Sequence, residues 1–171
     1  MSRSEQEAAF EAFVAARYRR LLHIAYLLTG DQGRAEDLLQ ASLAKTWSAW
    51  PRLHQAAAEA YVRTVLVRTY ASWWRRRWRG EHPVAQPPDR AAPDEFARLA
   101  ERDALLRALG QLPARMRAAL VLRYFEDYSE RQIADALGCR VGTVKSLCSR
   151  GLARLRGVPS LQPEQPSRRS P

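Results

Sequence analysis

The sequence has 171 residues and a formal net charge of +10, from 28 Lys and Arg against 18 Asp and Glu. This length allows one ordinary domain or two small ones, and a hydrophobic content of 46% excludes a wholly disordered chain. The basic excess favours a polyanionic partner, most simply nucleic acid, with a membrane surface or an acidic protein as the other candidates. The longest apolar stretches are too short to span a membrane, and Cys139 and Cys148 lack metal-ligand spacing. A cytoplasmic protein without cofactor or metal is therefore expected.

The first half of the chain is predicted to be helical, because glycine is rare, alanine is abundant and strand-like alternation is absent. A capping box at Ser4 and Glu7 opens the first predicted helix. Gly30 ends that helix in a left-handed conformation, and Asp31 caps the second one, which stops at Pro51.

The second predicted helix carries a large apolar surface. It begins with acids at its positive dipole end and continues with Leu38, Leu39, Leu43, Trp47 and Trp50. This is more apolar surface than one small three-helix unit needs. Docking of a partner protein and packing in the domain's own core both remain open.

The third predicted helix combines arginine with aromatic residues. Residues 52–60 are interpreted as a loop running into a helix that spans about 61–78. Residues 61–79 contain six arginines and no acid, interleaved with Tyr70, Trp73, Trp74 and Trp78. Arginines bind a phosphate backbone and aromatic faces stack on unpaired bases, so single-stranded or melting DNA is the indicated ligand. For Trp73, a place in a small core is an equally good interpretation.

A change of composition then separates two small helical domains. Residues 81–95 hold four of the ten prolines and a net negative charge, which is typical of a flexible linker. The predicted fold is all-α, with a first domain at 5–80, a second at 96–157 and a disordered tail at 158–171. In the second domain Phe96 lies on one helix, and the next is lined by Met116, Ala119, Leu120 and Tyr124.

A helix-turn-helix is predicted between residues 128 and 156. Ser129 and Gln132 form a capping box, and Gly138 permits the sharp turn. The second helix buries Val141, Val144, Cys148, Leu152 and Leu155 on one face. Its opposite face presents Arg140, Thr143, Lys145, Ser146, Ser149 and Arg150, which suit the DNA major groove. The two cysteines are interpreted as small core residues.

Five segments together resemble a known family. They are Ala35–Gln40, the stretch from Tyr61 to Arg77, Leu112–Arg117, Leu122–Asp127, and the stretch from Leu137 to Ser146. In this order, with an acidic Pro-rich segment in the middle, they are similar to bacterial extracytoplasmic-function (ECF, group IV) sigma factors of the sigma-70 family, particularly the SigE-like branch.

The resemblance implies a region 2 domain, a linker and a region 4 domain in a promoter-specificity factor that is not an enzyme. Its implied partners are promoter DNA, core RNA polymerase (the clamp helices of the largest subunit and the flap of the second largest) and an anti-sigma factor. Core binding would involve Asp37, Leu38, Gln40, Leu43 and Trp47. Binding and melting of the −10 element would involve Arg63, Arg68, Tyr70, Trp73, Trp74, Arg75, Arg76 and Arg77, with a base captured near residues 52–60.

The −35 element would be read by Arg140, Thr143, Lys145, Ser146, Leu147, Ser149 and Arg150. Three positions depart from the family pattern: Arg140 replaces a frequent capping Ser, Leu147 a polar or basic residue, and Arg68 a frequent Asn. Leu147 is expected either to contact a thymine methyl or only to fill a gap. The promoter sequence therefore cannot be transferred from a relative. A stand-alone helix-turn-helix regulator and a helical adaptor that does not bind DNA are the alternative interpretations.

Overall fold

A computed structural model describes the backbone of residues 2–78 and 97–161, and the side chains of these ranges except 77, 78, 97–103 and 160. All regular structure in these ranges is helical, which confirms the predicted all-α class. The predicted linker at 81–95 and the predicted tail from 162 onward lie outside the described residues. None of the described helices has the length and apolarity that crossing a membrane requires.

The first half is a three-helix bundle. Its helices are α1 (Arg3–Thr29), α2 (Gln32–Ala49) and α3 (Gln55–Trp78), with a 3₁₀ turn at Trp50–Arg52. Trp50 is buried at one end of the bundle, where its ring lies 5.0 Å from that of Phe10 and 5.1 Å from that of Phe13. Part of the apolar surface that α2 carries is thus used within its own domain.

The junction between α1 and α2 forms as predicted, whereas the start of α1 does not. Gly30 is left-handed with φ 69°, and the side chain of Asp31 accepts a hydrogen bond of 2.8 Å from the backbone N–H of Arg34. At the start, Ser2 and Glu5 form the capping box, so the prediction of Ser4 is wrong. Both serines have a glutamate three residues later, and the earlier pair closes because the helix continues through Ser4.

Residues 52–60, predicted as a loop running into a helix, contain less loop than expected, since α3 begins at Gln55. Three consecutive alanines favour helix here. Glu59 also joins this turn to α1, through ion pairs of 3.0 Å with Arg17 and 3.1 Å with Arg20. Only Leu53 and His54 remain outside helical structure between α2 and α3.

The second half contains four further helices within residues 97–161. They are α4 (Ala97–Gly110), α5 (Ala114–Tyr124), α6 (Glu130–Leu137) and α7 (Val141–Arg156). A 3₁₀ turn at Pro159–Leu161 follows and packs on α4, so the predicted tail begins too early. Hydrogen bonds from Val158 to Leu155 and from Leu161 to Val158 continue the chain's helical course there.

Helix α5 is the centre of the second half. Every residue from 116 to 122 is buried, whereas Tyr124 is 55% exposed, so its predicted place in the core is wrong. Residues 116–122 are all buried because α5 packs against α6 and α7 on one side and against α1 of the first half on the other. The periodicity of the sequence suggests one buried face, but the helix is enclosed on both sides.

The two halves share one hydrophobic core. Besides the contact between α1 and α5, α1 contacts α4 and α3 contacts α6. Arg117 of α5 donates hydrogen bonds to the carbonyl oxygens of Leu28 (2.9 Å) and Thr29 (3.1 Å) at the end of α1, and of Gly110 (3.1 Å) at the end of α4. A cation thus lies between two helix C-termini, where the helix dipoles favour positive charge.

Candidate nucleic-acid interface

The helix-turn-helix forms with the predicted local chemistry. The Ser129 hydroxyl accepts a hydrogen bond of 3.2 Å from the backbone N–H of Gln132. In return, Gln132 Oε1 accepts a hydrogen bond of 2.8 Å from the backbone N–H of Ser129. Gly138 is left-handed with φ 62° and ends α6. Arg140 occupies the N-cap of α7 without a side-chain capping bond, and its side chain is exposed.

The buried face of α7 differs from the predicted one. Val144, Leu147 and Gly151 are buried, while Val141 is 38% exposed and is not part of the core. Leu147, considered as a possible base contact, is only 7% exposed because it fills the space toward the other helices of the second half. In this conformation it supports α7 from behind rather than facing outward.

Close packing of α7 on α5 depends on Gly151. A Cβ at this position would lie 2.8 Å from Leu120 Cδ1 and 3.3 Å from Met116 Cγ. The absence of a side chain therefore lets the two helices approach closely, and this contact fixes the orientation of the exposed face of α7.

That exposed face carries the polar residues predicted to read DNA. Arg140, Lys145, Ser146, Ser149 and Arg150 are exposed, and Thr143 is half-buried. The Lys145 ammonium lies 3.8 Å from the Glu130 carboxylate, a loose surface pair that a phosphate can replace. The face is thus basic, outward-facing and held by a packed helix behind it.

The candidate residues on α3 divide into exposed and covered sets. Arg68, Arg75 and Arg76 are exposed, and Tyr70 is buried with 8% exposure. Trp73 and Trp74 are half-buried, and Trp73 packs against the shared core. The side chain of Arg77 lies outside the described residues.

The covered set contacts the second half. Arg63 forms an ion pair of 2.5 Å with Glu126, which is itself buried. The Arg115 guanidinium lies over the Trp74 ring, 4.5 Å from its centroid. A cavity of about 90 Å³ lies beside these contacts, lined by Tyr70, Trp73 and Trp74 of α3 together with Thr29, Arg34, Ala114 and Arg117.

The candidate residues on α2 surround an apolar groove between α1 and α2. Gln40, Leu43 and Trp47 line this open groove of about 540 Å³, and Phe10, Val14 and Tyr18 line it from α1. Asp37 is exposed one turn before Gln40. Leu38, in contrast, has no exposed surface and belongs to the core, so a partner in the groove would contact its neighbours instead.

Among the described residues, burial perturbs three titratable groups. It raises the pKa of the Glu126 carboxyl, while the hydrogen bond and charge of Arg63 oppose that rise. Burial also raises the pKa of the Cys139 and Cys148 thiols, both of which pack against the core as predicted. Protonated, partly buried thiols are poor nucleophiles, which agrees with a packing role.

The sequence did not indicate that three charged residues join the two halves: Arg115, Arg117 and Glu126. Arg117 had a detectable signal, because it is a single charge inside the apolar run from Met116 to Leu122. A charge in such a run needs a polar partner, but the sequence does not identify the end of α1 as that partner. Arg115 and Glu126 had no signal of their own, since the ring of Trp74 and the guanidinium of Arg63, which they contact, lie in the other half.

Comparison with known proteins agrees with this architecture. Residues 13–80 match the family model for sigma-70 region 2, and residues 102–155 match that for sigma-70 region 4. The RNA polymerase sigma-E factor of Streptomyces avermitilis is 40% identical over 148 residues, which cover 86% of this chain and 83% of that protein. The ECF RNA polymerase sigma factor SigM of Mycobacterium tuberculosis is 33% identical over 149 residues, covering 86% and 75% respectively.

A solved structure is similar over most of the chain. It is the sigma factor RpoE of Bartonella quintana in complex with the anti-sigma factor NepR, with a TM-score of 0.59, 25% identity, and coverage of 91% of this chain and 99% of that one. The two matched regions, their order and the identity to curated relatives lead to one conclusion: this chain belongs to the extracytoplasmic-function group of RNA polymerase sigma factors.

Proposed function

We propose that this chain binds core RNA polymerase and directs it to promoters, where it recognises the −35 and −10 elements and assists melting. The observation that carries the proposal is the construction of α7. Its outer face is basic and exposed, while Val144, Leu147 and Gly151 anchor its inner face in the second half. A helix held in this way fits the major groove of the −35 duplex.

The −10 element is assigned to α3. Arg68, Arg75 and Arg76 are exposed and suit the phosphate backbone, and Trp74 supplies an aromatic face for an unpaired base. Arg63, Tyr70, Trp73 and Arg77 complete the proposed site. Phosphoryl transfer belongs to the polymerase in this proposal, and the chain itself is not an enzyme.

Core polymerase is assigned to the groove between α1 and α2. The clamp helices of the largest subunit would contact Asp37, Gln40, Leu43 and Trp47, because an amphipathic helix fits an apolar groove with a polar edge. The second half would contact the flap of the second-largest subunit. The action is cytoplasmic, and nucleoid-associated in holoenzyme. An anti-sigma factor is a further proposed partner, since the similar Bartonella protein was solved with one.

The decisive experiment is run-off transcription on genomic fragments with core polymerase, with and without the chain. We expect discrete transcripts only when both are present, and their 5′ ends define the two promoter elements. DNA binding without any association with core polymerase would instead identify a stand-alone regulator. Association with neither would identify a helical adaptor.

A further inference from the structure

Val141 is an apolar residue at the exposed start of α7. It is the first residue of this helix and is 38% exposed, and it does not belong to the core cluster that Val144 and Leu147 join. Its neighbours Arg140 and Gly142 are exposed as well. No other large hydrophobic side chain of α7 is exposed. Packing within the protein therefore does not explain a valine at this position.

The surroundings of Val141 leave room for a ligand. Apart from its neighbours in the chain, no side chain lies within 4 Å of where a Cβ on Gly142 would stand. Arg140 makes no side-chain capping bond, so its side chain is not committed to the start of the helix. Valine itself is β-branched and stiff at χ1, so it presents its methyl groups in a fixed direction. An approaching base edge thus meets a small, rigid and open apolar surface.

The DNA major groove offers one group that suits such a surface. The base edges there present hydrogen-bond donors and acceptors, and thymine alone adds an apolar C5-methyl group. In a helix-turn-helix, the N-terminal residues of the second helix contact the base edges. Val141 is the first residue of that helix and stands where these contacts are made.

The polar side chains of the same helix are suited to other groups. The Ser146 hydroxyl donates a hydrogen bond of 3.1 Å to the Gly142 carbonyl oxygen, which leaves its own oxygen to accept one from a base. Arg150 Nε donates to the Ser146 carbonyl oxygen at 3.3 Å, so the terminal nitrogens of Arg150 are left for guanine or a phosphate. Neither side chain distinguishes a base that carries a methyl group from one that lacks it.

Leu147 is the other apolar residue that the sequence offers for a thymine contact, and its burial excludes it. It is only 7% exposed and packs toward the other helices of the second half. The two residues thus exchange the places that the helical periodicity predicts, with Val141 outside and Leu147 inside. An exposed valine at the start of α7 is accounted for when DNA covers it.

From these observations we propose that Val141 is a specificity-determining residue of α7, which selects a thymine in the −35 element by packing on its C5-methyl group. The proposal rests on the function proposed above for α7. It requires that the −35 element contain a thymine, on either strand, opposite the start of this helix. Arg140, adjacent and exposed, would bind a phosphate beside the same base pair.

The test removes the apolar contact from the DNA and from the protein separately. Run-off transcription with core polymerase first defines the −35 element. Each thymine of that element is then replaced by deoxyuridine, which lacks only the C5-methyl group and keeps the base pair. Holoenzyme binding to the labelled double-stranded promoter is measured for the wild type and Val141→Ala. The control is Val158→Ala, which makes the same change beyond the end of α7.

We expect deoxyuridine at one position to weaken binding by the wild type about fourfold, as for the loss of one buried methyl group. Val141→Ala should weaken binding to the unmodified promoter by a similar factor and should not respond to deoxyuridine at that position. Val158→Ala should follow the wild type at every position. The far-UV spectrum of Val141→Ala should show intact helices, because alanine favours helix and the valine is exposed.

Three results would overturn the proposal. The first is a −35 element without any thymine. The second is a set of deoxyuridine replacements that leave binding by the wild type unchanged. The third is a Val141→Ala variant that remains as sensitive as the wild type to deoxyuridine at every position, because the methyl group is then recognised by another residue.

Failure of the proposed function gives a different result. If the chain directs no run-off transcription, duplexes that it binds without polymerase are selected from a random pool and scanned with deoxyuridine in the same way. A thymine contact that depends on Val141 would then stand although the sigma function falls. If run-off succeeds and the scan shows no such contact, the sigma function stands and the role of Val141 falls. A chain that selects no duplex contradicts both.

Discussion

Single side chains connect the two halves of this protein, and Arg117 is the clearest case. Its guanidinium is buried and donates to main-chain carbonyl oxygens at the ends of α1 and α4. A Cβ on Gly30 would lie 3.1 Å from Arg117 Nη1, so glycine there serves both the left-handed turn and this approach. One residue thus couples the cap of a helix in the first half to the core of the second.

At the residue scale, Arg150→Ala should weaken duplex binding without affecting core polymerase. Arg150 is exposed on α7, and its loss should lower the slope of log affinity against log salt by about 1 if it contacts a phosphate. Titration of duplex at several salt concentrations checks this. Arg19→Ala, on an exposed position of α1, is the control. Equal losses of duplex and core binding by Arg150→Ala would contradict the assignment of α7.

Glu126 gives a prediction with a defined pH dependence. Burial raises its pKa above the ordinary value near 4.5, although Arg63 and Arg20 oppose the rise and Asp127 adds to it. The contribution of this carboxyl to stability is therefore full below about pH 4.5 and is lost as the pH rises through the raised pKa.

Glu126→Gln imitates the protonated form, so its stability relative to the wild type should increase as the pH rises from 4.5 toward neutrality. Urea unfolding of both proteins across this range measures the difference, and the other titrating groups cancel. A relative stability that decreases over the same range would mean that pairing with Arg63 outweighs burial.

At the element scale, α7 contains two glycines with opposite requirements. A Cβ added to Gly151 would lie 2.8 Å from Leu120 Cδ1. A Cβ added to Gly142 would have no other atom within 4 Å. We expect Gly151→Ala to lower the free energy of unfolding by about 1–3 kcal/mol through overpacking. Gly142→Ala should be neutral or stabilising by up to about 1 kcal/mol. Denaturant unfolding measures the free energy of unfolding of both variants. Equal changes in the two variants would show that α7 does not approach α5 as closely as described.

Helix α2 has a core face and a groove face, and one substitution on each distinguishes them. Leu38→Asp places a charge where no surface is exposed, so the melting temperature should fall sharply or the chain should not fold. Gln40→Asp adds the same charge on the exposed edge of the groove. It should leave melting unchanged and weaken core polymerase binding. A folded Leu38→Asp variant would contradict the packing of α2.

At the scale of the whole molecule, the shared core predicts a single cooperative unfolding transition. All five tryptophans lie between residues 47 and 78, so their fluorescence reports on the first half, while far-UV circular dichroism reports on both. The two signals should change at the same denaturant concentration in the wild type. In Arg117→Met they should separate. Separate transitions in the wild type would show that the halves are not coupled in solution.

The sequence by itself determined the helical class, the junction at Gly30 and Asp31, and the capped helix-turn-helix, because these features depend on residues close together in the chain. Its resemblance to the ECF sigma factors is confirmed by the sigma-70 family matches together with the identity to curated relatives. Local propensity also places α7 correctly, although its inner face is set by contacts with α5 and includes Leu147 instead of Val141. A helical repeat indicates that one face is buried, but not which of two adjacent stripes it is.

Only the tertiary structure decided which parts of the basic surfaces are exposed and which are covered. The sequence suggested two independent domains with both basic segments free, and the structure joins them through Arg117 and the pair Arg63–Glu126. It also removed Leu38 from the candidate docking surface and buried residues 116–122 of α5, although Tyr124 at the end of this helix is exposed. The hydrogen bonds of Arg63 and Arg117 that join the halves connect residues 63 and 89 positions apart in the chain. Neither spacing nor composition encodes such a pairing, because the free energy that selects it arises only when both surfaces are already folded.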